Sequence, residues 1–111
     1  MVLKKDEIIK YLTILNNKLK AKKMKGEIML YGGAVMCLAH DTRNLTYDID
    51  AVFKPKNEID ELIKGIALEY NLNNDWLNCS VAGVKSKNET ILDFNEFKKF
   101  SNLVIYVANA E

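Results

Sequence analysis

The sequence predicts one small α+β domain, a mixed β-sheet of a few strands packed against helices. Two stretches, Asp6 to about Lys23 and Asn57 to Tyr70, repeat apolar residues at helical spacing. Three short apolar runs, Glu27–Tyr31, Ile49–Phe53 and Leu103–Ala108, have the length and bounds of strands. The two kinds of segment alternate within 111 residues, a length that buries roughly 65% of its unfolded surface around one core. A single domain over residues 1–111 is therefore expected.

The first helix follows from Ile8, Leu12, Leu15 and Leu19, which form one stripe. Lys18, Lys20, Lys22, Lys23 and Lys25 crowd its end, where positive charge suits the helix dipole. Gly26 stops it, and Glu27–Tyr31 then reads as a buried strand running into the sharp turn Gly32-Gly33. Ala34 to His40 is helix-forming, Asp41 to Asn44 is a polar loop, and the next strand runs from Tyr47 to Phe53 and is stopped by Pro55. Asn57 is the expected N-cap of the second long helix, whose stripe is Ile59, Leu62, Ile63, Ile66, Ala67 and Tyr70. Thr90 to Phe94 reads as a short strand and Asn95 to Phe100 as a helical turn; Trp76 and the phenylalanines Phe94, Phe97 and Phe100 close the core over this weakly patterned region. Leu103–Ala108, wholly apolar, is expected to be an interior strand. An open edge on that strand would favour aggregation, so a second copy of the chain is expected to cover it and make a homo-oligomer.

Composition narrows the function classes. Sixteen Lys plus Arg against fifteen Asp plus Glu leave a net charge of +1, which argues against tight nucleic-acid or membrane binding by overall charge. The longest apolar runs are six residues, far below the ~20 of a membrane span, so no membrane partner is expected. The start lacks the apolar stretch of a secretory signal, which makes the cytoplasm the expected location. Cys37 and Cys79 lack companions at metal-ligand spacing, and His40 is the only histidine. Zinc sites, disulfide frameworks and multi-histidine centres are set aside. Cys37 reads as a small core residue.

The chemistry lies between Tyr31 and Phe53. Asp48 and Asp50 stand two apart on a predicted strand, so their carboxylates share one face while Ile49, Ala51 and Phe53 enter the core from the other. Like charges held that close call for a cation, and oxygen ligands on a rigid strand suit Mg²⁺, which completes its shell with water and phosphate. Gly32-Gly33, between a strand and a helix, lets backbone N–H groups approach an anion unobstructed. The two halves together describe a site for a nucleoside triphosphate and its metal.

This arrangement, Tyr31-Gly32-Gly33 followed by Asp48-Ile49-Asp50, resembles the signature of the DNA-polymerase-beta-like nucleotidyltransferase superfamily. With Arg43 and Thr46 leading into the Asp pair, it looks most like the small prokaryotic branch related to the nucleotidyltransferase toxins of abortive-infection toxin–antitoxin systems. The likeness is densest from Tyr31 to Phe53 and extends more loosely from Glu27 to Glu111, through Asp75-Trp76-Leu77-Asn78.

The resemblance implies a minimal nucleotidyltransferase fold in which Asp48 and Asp50 ligate Mg²⁺ and Gly32 and Gly33 hold the triphosphate, ATP or another. Arg43 and Thr46 are second-rank candidates, for phosphate contact and loop geometry. An acceptor hydroxyl on protein or RNA would attack the α-phosphorus and pyrophosphate would leave. The superfamily adds a third carboxylate on a later strand; Val104-Ile105-Tyr106-Val107 has none, so Asp93 is the first candidate, with Glu89, Glu96 and Glu111 behind it. Longer relatives continue into further helices, which this chain is expected to lack. The alternative is a catalytically degenerate member that keeps the fold as a binding or regulatory module. A third reading is nucleic-acid binding through the lysine-rich end of the first helix, against which the near-neutral net charge counts.

Overall fold

A computed structural model describes residues 3–31, 33–38, 45–46, 49–78 and 94–108. In chain order the elements are β1 (Leu3–Lys4), α1 (Lys5–Ala21), β2 (Gly26–Tyr31), α2 (Gly33–Leu38), β3 (Leu45–Thr46), β4 (Ile49–Lys54), α3 (Lys56–Tyr70), β5 (Leu77–Asn78), β6 (Phe94–Lys99) and β7 (Leu103–Ala108). The architecture is α+β. Five strands form one mixed sheet in the order β5-β4-β2-β7-β6, and β1 and β3 make a separate two-stranded pair. Central β2 runs antiparallel to β4 and parallel to β7; β5 joins β4 in parallel and β6 joins β7 antiparallel.

Period-two alternation divides the sheet into two faces. Ile28 and Leu30 of β2, Ile49, Ala51 and Phe53 of β4, and Leu103, Ile105 and Val107 of β7 enter one core cluster. That cluster also takes Ile8, Leu12, Leu15 and Leu19 of α1, Val35, Cys37 and Leu38 of α2, and Ile59, Ile63 and Ile66 of α3. All three helices therefore cover the same face. Glu27, Met29, Tyr31, Asp50, Val52, Lys54, Val104 and Tyr106 belong to the other one. No helix among the described residues is long and apolar enough to cross a membrane.

Both long helices end in the same way. In α1 the Met24 N–H donates to the Leu19 carbonyl at 2.9 Å and the Lys23 N–H to the Lys20 carbonyl at 3.0 Å, with Lys23 at φ 58°. In α3 the Leu72 N–H donates to the Ala67 carbonyl at 2.8 Å, with Asn71 at φ 59°. This left-handed closure satisfies the last carbonyls and favours Gly or Asn; α1 closes on a lysine instead. At the other end of α1, the Lys4 N–H donates to Glu7 Oε1 at 3.0 Å.

Several sequence expectations are corrected. Helix α3 begins at Lys56, not at an Asn57 cap: the Pro55 carbonyl already accepts the Ile59 N–H at 3.1 Å, and no side chain caps that end. Asn95 to Phe100 is not a helical turn, because residues 94–99 pair along β7 as a strand, with an irregularity between Glu96 and Lys98. Strand β7 is interior as expected, but β2 and β6 occupy both its edges, so the argument that a second copy must cover it falls away. The predicted residues 90–93 of the preceding strand lie outside the described residues.

Where α1, β2, β4 and α3 meet, Gly26 has no room for a side chain. A Cβ there would stand 2.8 Å from Ile59 Cδ1, 3.2 Å from Leu19 Cδ1 and 3.2 Å from the Lys54 carbonyl oxygen. Gly26→Ala should cost about 1–3 kcal/mol, as overpacking does. Lys23→Gly should instead stabilise by about 0.5–1 kcal/mol, since relief of roughly 1–2 kcal/mol of left-handed strain is partly offset by added unfolded-chain entropy. Urea titrations of the two variants check both signs.

Candidate functional site

Of the residues expected to carry chemistry, the structure describes Asp50, near the point where β2 gives way to α2. Tyr31, the last residue of β2, pairs directly with Asp50 of β4, and Asp50 pairs with Asn78 of β5. These three half-buried side chains form a row across three adjacent strands on the face opposite the described helices. Asp50 is thus turned away from the core, as the alternation of Ile49, Asp50 and Ala51 predicts. Gly33 opens α2 just beyond Tyr31.

The short β5 is held in this row by its neighbour Trp76. The indole is fully buried, its Nε1–H donates to the Ile63 carbonyl at 3.0 Å, and its ring centroid lies 5.7 Å from that of Tyr11. The Trp76 carbonyl accepts the Ile49 N–H at 2.9 Å, fixing β5 against β4. Asn78 in turn donates from Nδ2 to the Asp75 carbonyl at 3.1 Å. A carboxylate and a carboxamide on adjacent strands are hard-oxygen donors of the kind Mg²⁺ accepts. Among the described residues, no three His, Cys, Asp or Glu side chains come together, so the described part of the site supplies one carboxylate.

The other candidates fare differently. Gly32, Arg43, Asp48 and Asp93 lie outside the described residues, as do Glu89 and Glu111. Thr46 lies in β3, its backbone paired with Leu3, not in the five-stranded sheet. Glu96 is set apart: it lies on β6, three strands from β4, which at about 4.8 Å per strand is roughly 14 Å from the Asp50 strand. Strand β7 brings Val104 and Tyr106 to the face opposite the described helices, and neither is an acid. Cys37 is a core residue, as expected.

Asn78 is the site residue that sequence reasoning missed. The run Asp75-Trp76-Leu77-Asn78 stood out, but only the parallel pairing of β5 with β4 places its last residue beside Asp50.

No protein-family model, curated protein or solved structure matches the chain. The site stands on its own geometry.

Because Trp76 holds β5 in place, Trp76→Phe should keep most of the buried ring and lose the bond to Ile63, at a cost of about 1–2 kcal/mol. Trp76→Ala should cost about 3–5 kcal/mol. Chemical denaturation measures both, and amide exchange at Asn78 should quicken more than at Ile28 in the milder variant.

Proposed function

We propose that this chain is a Mg²⁺-dependent nucleotidyltransferase that moves a nucleotide from a nucleoside triphosphate to a protein or RNA hydroxyl, in the toxin–antitoxin or phage-defence setting that its sequence resemblance suggests. One observation supports the reading: β2, whose last residue Tyr31 precedes Gly32-Gly33 in the sequence, pairs at that residue with Asp50 of β4. A phosphate cradle and a metal-binding strand would have to be neighbours for this chemistry, and the antiparallel pairing of β2 with β4 is compatible with that.

Asp50 fits a hard cation, since its strand presents it on the face opposite the described helices. With Asp48 it would hold the metal, and Asn78 stands next to it as a further oxygen donor. Bound Mg²⁺ would orient the triphosphate and offset charge on the leaving pyrophosphate. The backbone N–H groups of Gly32 and Gly33 would hold the outer phosphates, and Arg43 would add a charge-assisted contact. Tyr31 borders the site beside Asp50.

A second reading, a degenerate member that binds without transferring, draws on a specific feature. The neighbour of Asp50 on β5 is an amide, Asn78, and the described part of β7 has no acid facing the same side. Such a site could hold a metal-bound triphosphate while lacking the group that takes the acceptor proton.

Calorimetric titration of each of the four triphosphates, with and without Mg²⁺, tests the proposal. Wild type should bind at least one of them in a metal-dependent manner, and Asp48→Ala/Asp50→Ala should weaken that binding at least tenfold, a loss of about 1.4 kcal/mol. No binding by wild type would overturn the nucleotide site itself. Binding without any release of pyrophosphate onto candidate protein and RNA acceptors would favour the degenerate module.

A further inference from the structure

Three turns remote in sequence meet at the end of the sheet away from Asp50, and each contributes lysines. Lys23 and Lys25 lie between α1 and β2, Lys54 and Lys56 flank the step from β4 to α3, and Lys98 and Lys99 precede the turn into β7. The turns are in contact: the Gly26 N–H donates to the Asn102 carbonyl at 2.8 Å, Asn102 Nδ2 donates to the Met24 carbonyl at 2.9 Å, and the Gly26 Cα adjoins the Lys54 carbonyl. All six lysines are exposed. None is in an ion pair among the described residues, whereas Lys18 and Lys64 are paired with Glu69 and Asp60 at 3.1 Å each.

Two of the six, Lys25 and Lys54, line a cleft of about 430 Å³ together with Gly26, Glu27, Pro55 and Val104. Pro55 and Val104 give it an apolar floor. The register places Lys99, Val104, Glu27 and Lys54 in one row across β6, β7, β2 and β4, so lysines stand at both ends of the row and an acid stands within it. The conformation of Lys23 is a separate sign. It occupies the left-handed position that α3 fills with Asn71, so the chain keeps a cation where an amide or glycine would sit with less strain.

We propose that this end of the molecule docks single-stranded nucleic acid, with one nucleotide seated in the cleft and its flanking phosphates on the lysines. The cleft falls within the usual ~300–1,000 Å³ of a small-ligand site. Its apolar floor suits a base or ribose, Lys25 and Lys54 lie where phosphates would pass, and the Glu27 carboxylate can accept from an exocyclic amino group of the base. A duplex keeps its bases stacked and would have to flip one out to fill the cleft. Near-neutral overall charge does not oppose this, because at physiological salt a strand reads charge within about 8 Å. Along β4, Lys54 lies four residues from Asp50, about 13 Å at 3.3 Å per residue, so the surface is separate from the triphosphate site and does not rest on it.

Fluorescence anisotropy on the full chain tests the proposal, with labelled strands of about 12 nucleotides, a length within the usual site-size range. The probes are single-stranded RNA, single-stranded DNA, duplex DNA and an abasic strand of equal length. Single strands should bind with a log K against log salt slope of about −2 to −4, the mark of three to five phosphates at roughly −0.7 each. Lys25→Glu/Lys54→Glu should weaken binding at least tenfold and flatten the slope by about 1.4. Lys10→Glu, the same reversal at a single lysine on the first half of α1 beside Tyr70, should change it less than about twofold, as expected of an exposed charge beyond the screening length.

Binding of either single strand in this pattern sustains the proposal, the tighter of RNA and DNA identifying the preferred ligand. Three results overturn it: no strand binding by wild type at low salt, an equal loss in Lys10→Glu, or abasic and duplex probes binding as tightly as the single strands. Lys23→Gly gives an independent check, since it should weaken binding two- to fivefold in a protein that is no less stable.

Discussion

The close approach at Gly26 is the constraint on which the rest of the structure depends. Side chains from α1 and α3 and a carbonyl from β4 close on one α-carbon, and the adjoining polar groups are clasped by Asn102. Its N–H donates to Asn16 Oδ1 at 2.7 Å, its Nδ2 reaches the Met24 carbonyl, and its own carbonyl takes the Gly26 N–H. Asn16 is the one buried polar side chain among the described residues. An unpaired amide there would cost about 1–3 kcal/mol, so the clasp is needed as well as available. It fixes where β2 begins, and β2 sets the register of β4 on one side and β7 on the other. The pairing of Tyr31 with Asp50, at the far end of the same strand, follows from a contact five residues away.

A sheet covered by helices on one side leaves its other side to carry polar residues, and this chain uses both ends of that side. At one end stand Tyr31, Asp50 and Asn78; at the other, Lys54, Glu27 and Lys99. The opposed charge character of the two ends disappears in a net charge of +1, a sum blind to position. The sheet's edges are guarded in an ordinary way. Strand β6 carries Lys98 and Lys99 and an irregularity between Glu96 and Lys98, features that discourage pairing with a further strand, while β5 is only two residues long.

Elements with a clean period could be read directly. Ile8, Leu12, Leu15 and Leu19 are at most 1% exposed, the apolar runs of β2 and β7 are strands, and the alternation around Asp50 places its side chain away from the core. What could not be read depends on partners. The run Phe94-Asn95-Glu96-Phe97-Lys98-Lys99 is an edge strand whose irregularity interrupts its alternation, so its own pattern suggested a turn. Pro55 displaced Asn57 as the start of α3 because a backbone carbonyl accepted the first helical bond without a side chain. Asn78 and the lysine-lined end were hidden for the same reason: β5 is two residues anchored by the adjoining Trp76 through its bond to distant Ile63, and Lys54 and Lys99 join Lys25 only once three turns have met.

Metal binding and group transfer place different demands on Asp50. Mg²⁺ needs only one or two protein carboxylates and takes its remaining ligands from water and phosphate, so Asp48 and Asp50 would suffice to hold a metal-bound triphosphate. Transfer also requires a group that accepts the hydroxyl proton, in line with the reacting phosphorus. The strands that flank β4 offer Tyr31 and Asn78, and neither is a base at neutral pH. Nucleotide affinity and catalytic turnover would therefore be separable properties of such a site. Under the proposed function the first would rest on the β2–β4 pairing, and the second would require a proton acceptor that the described residues paired with Asp50 do not supply.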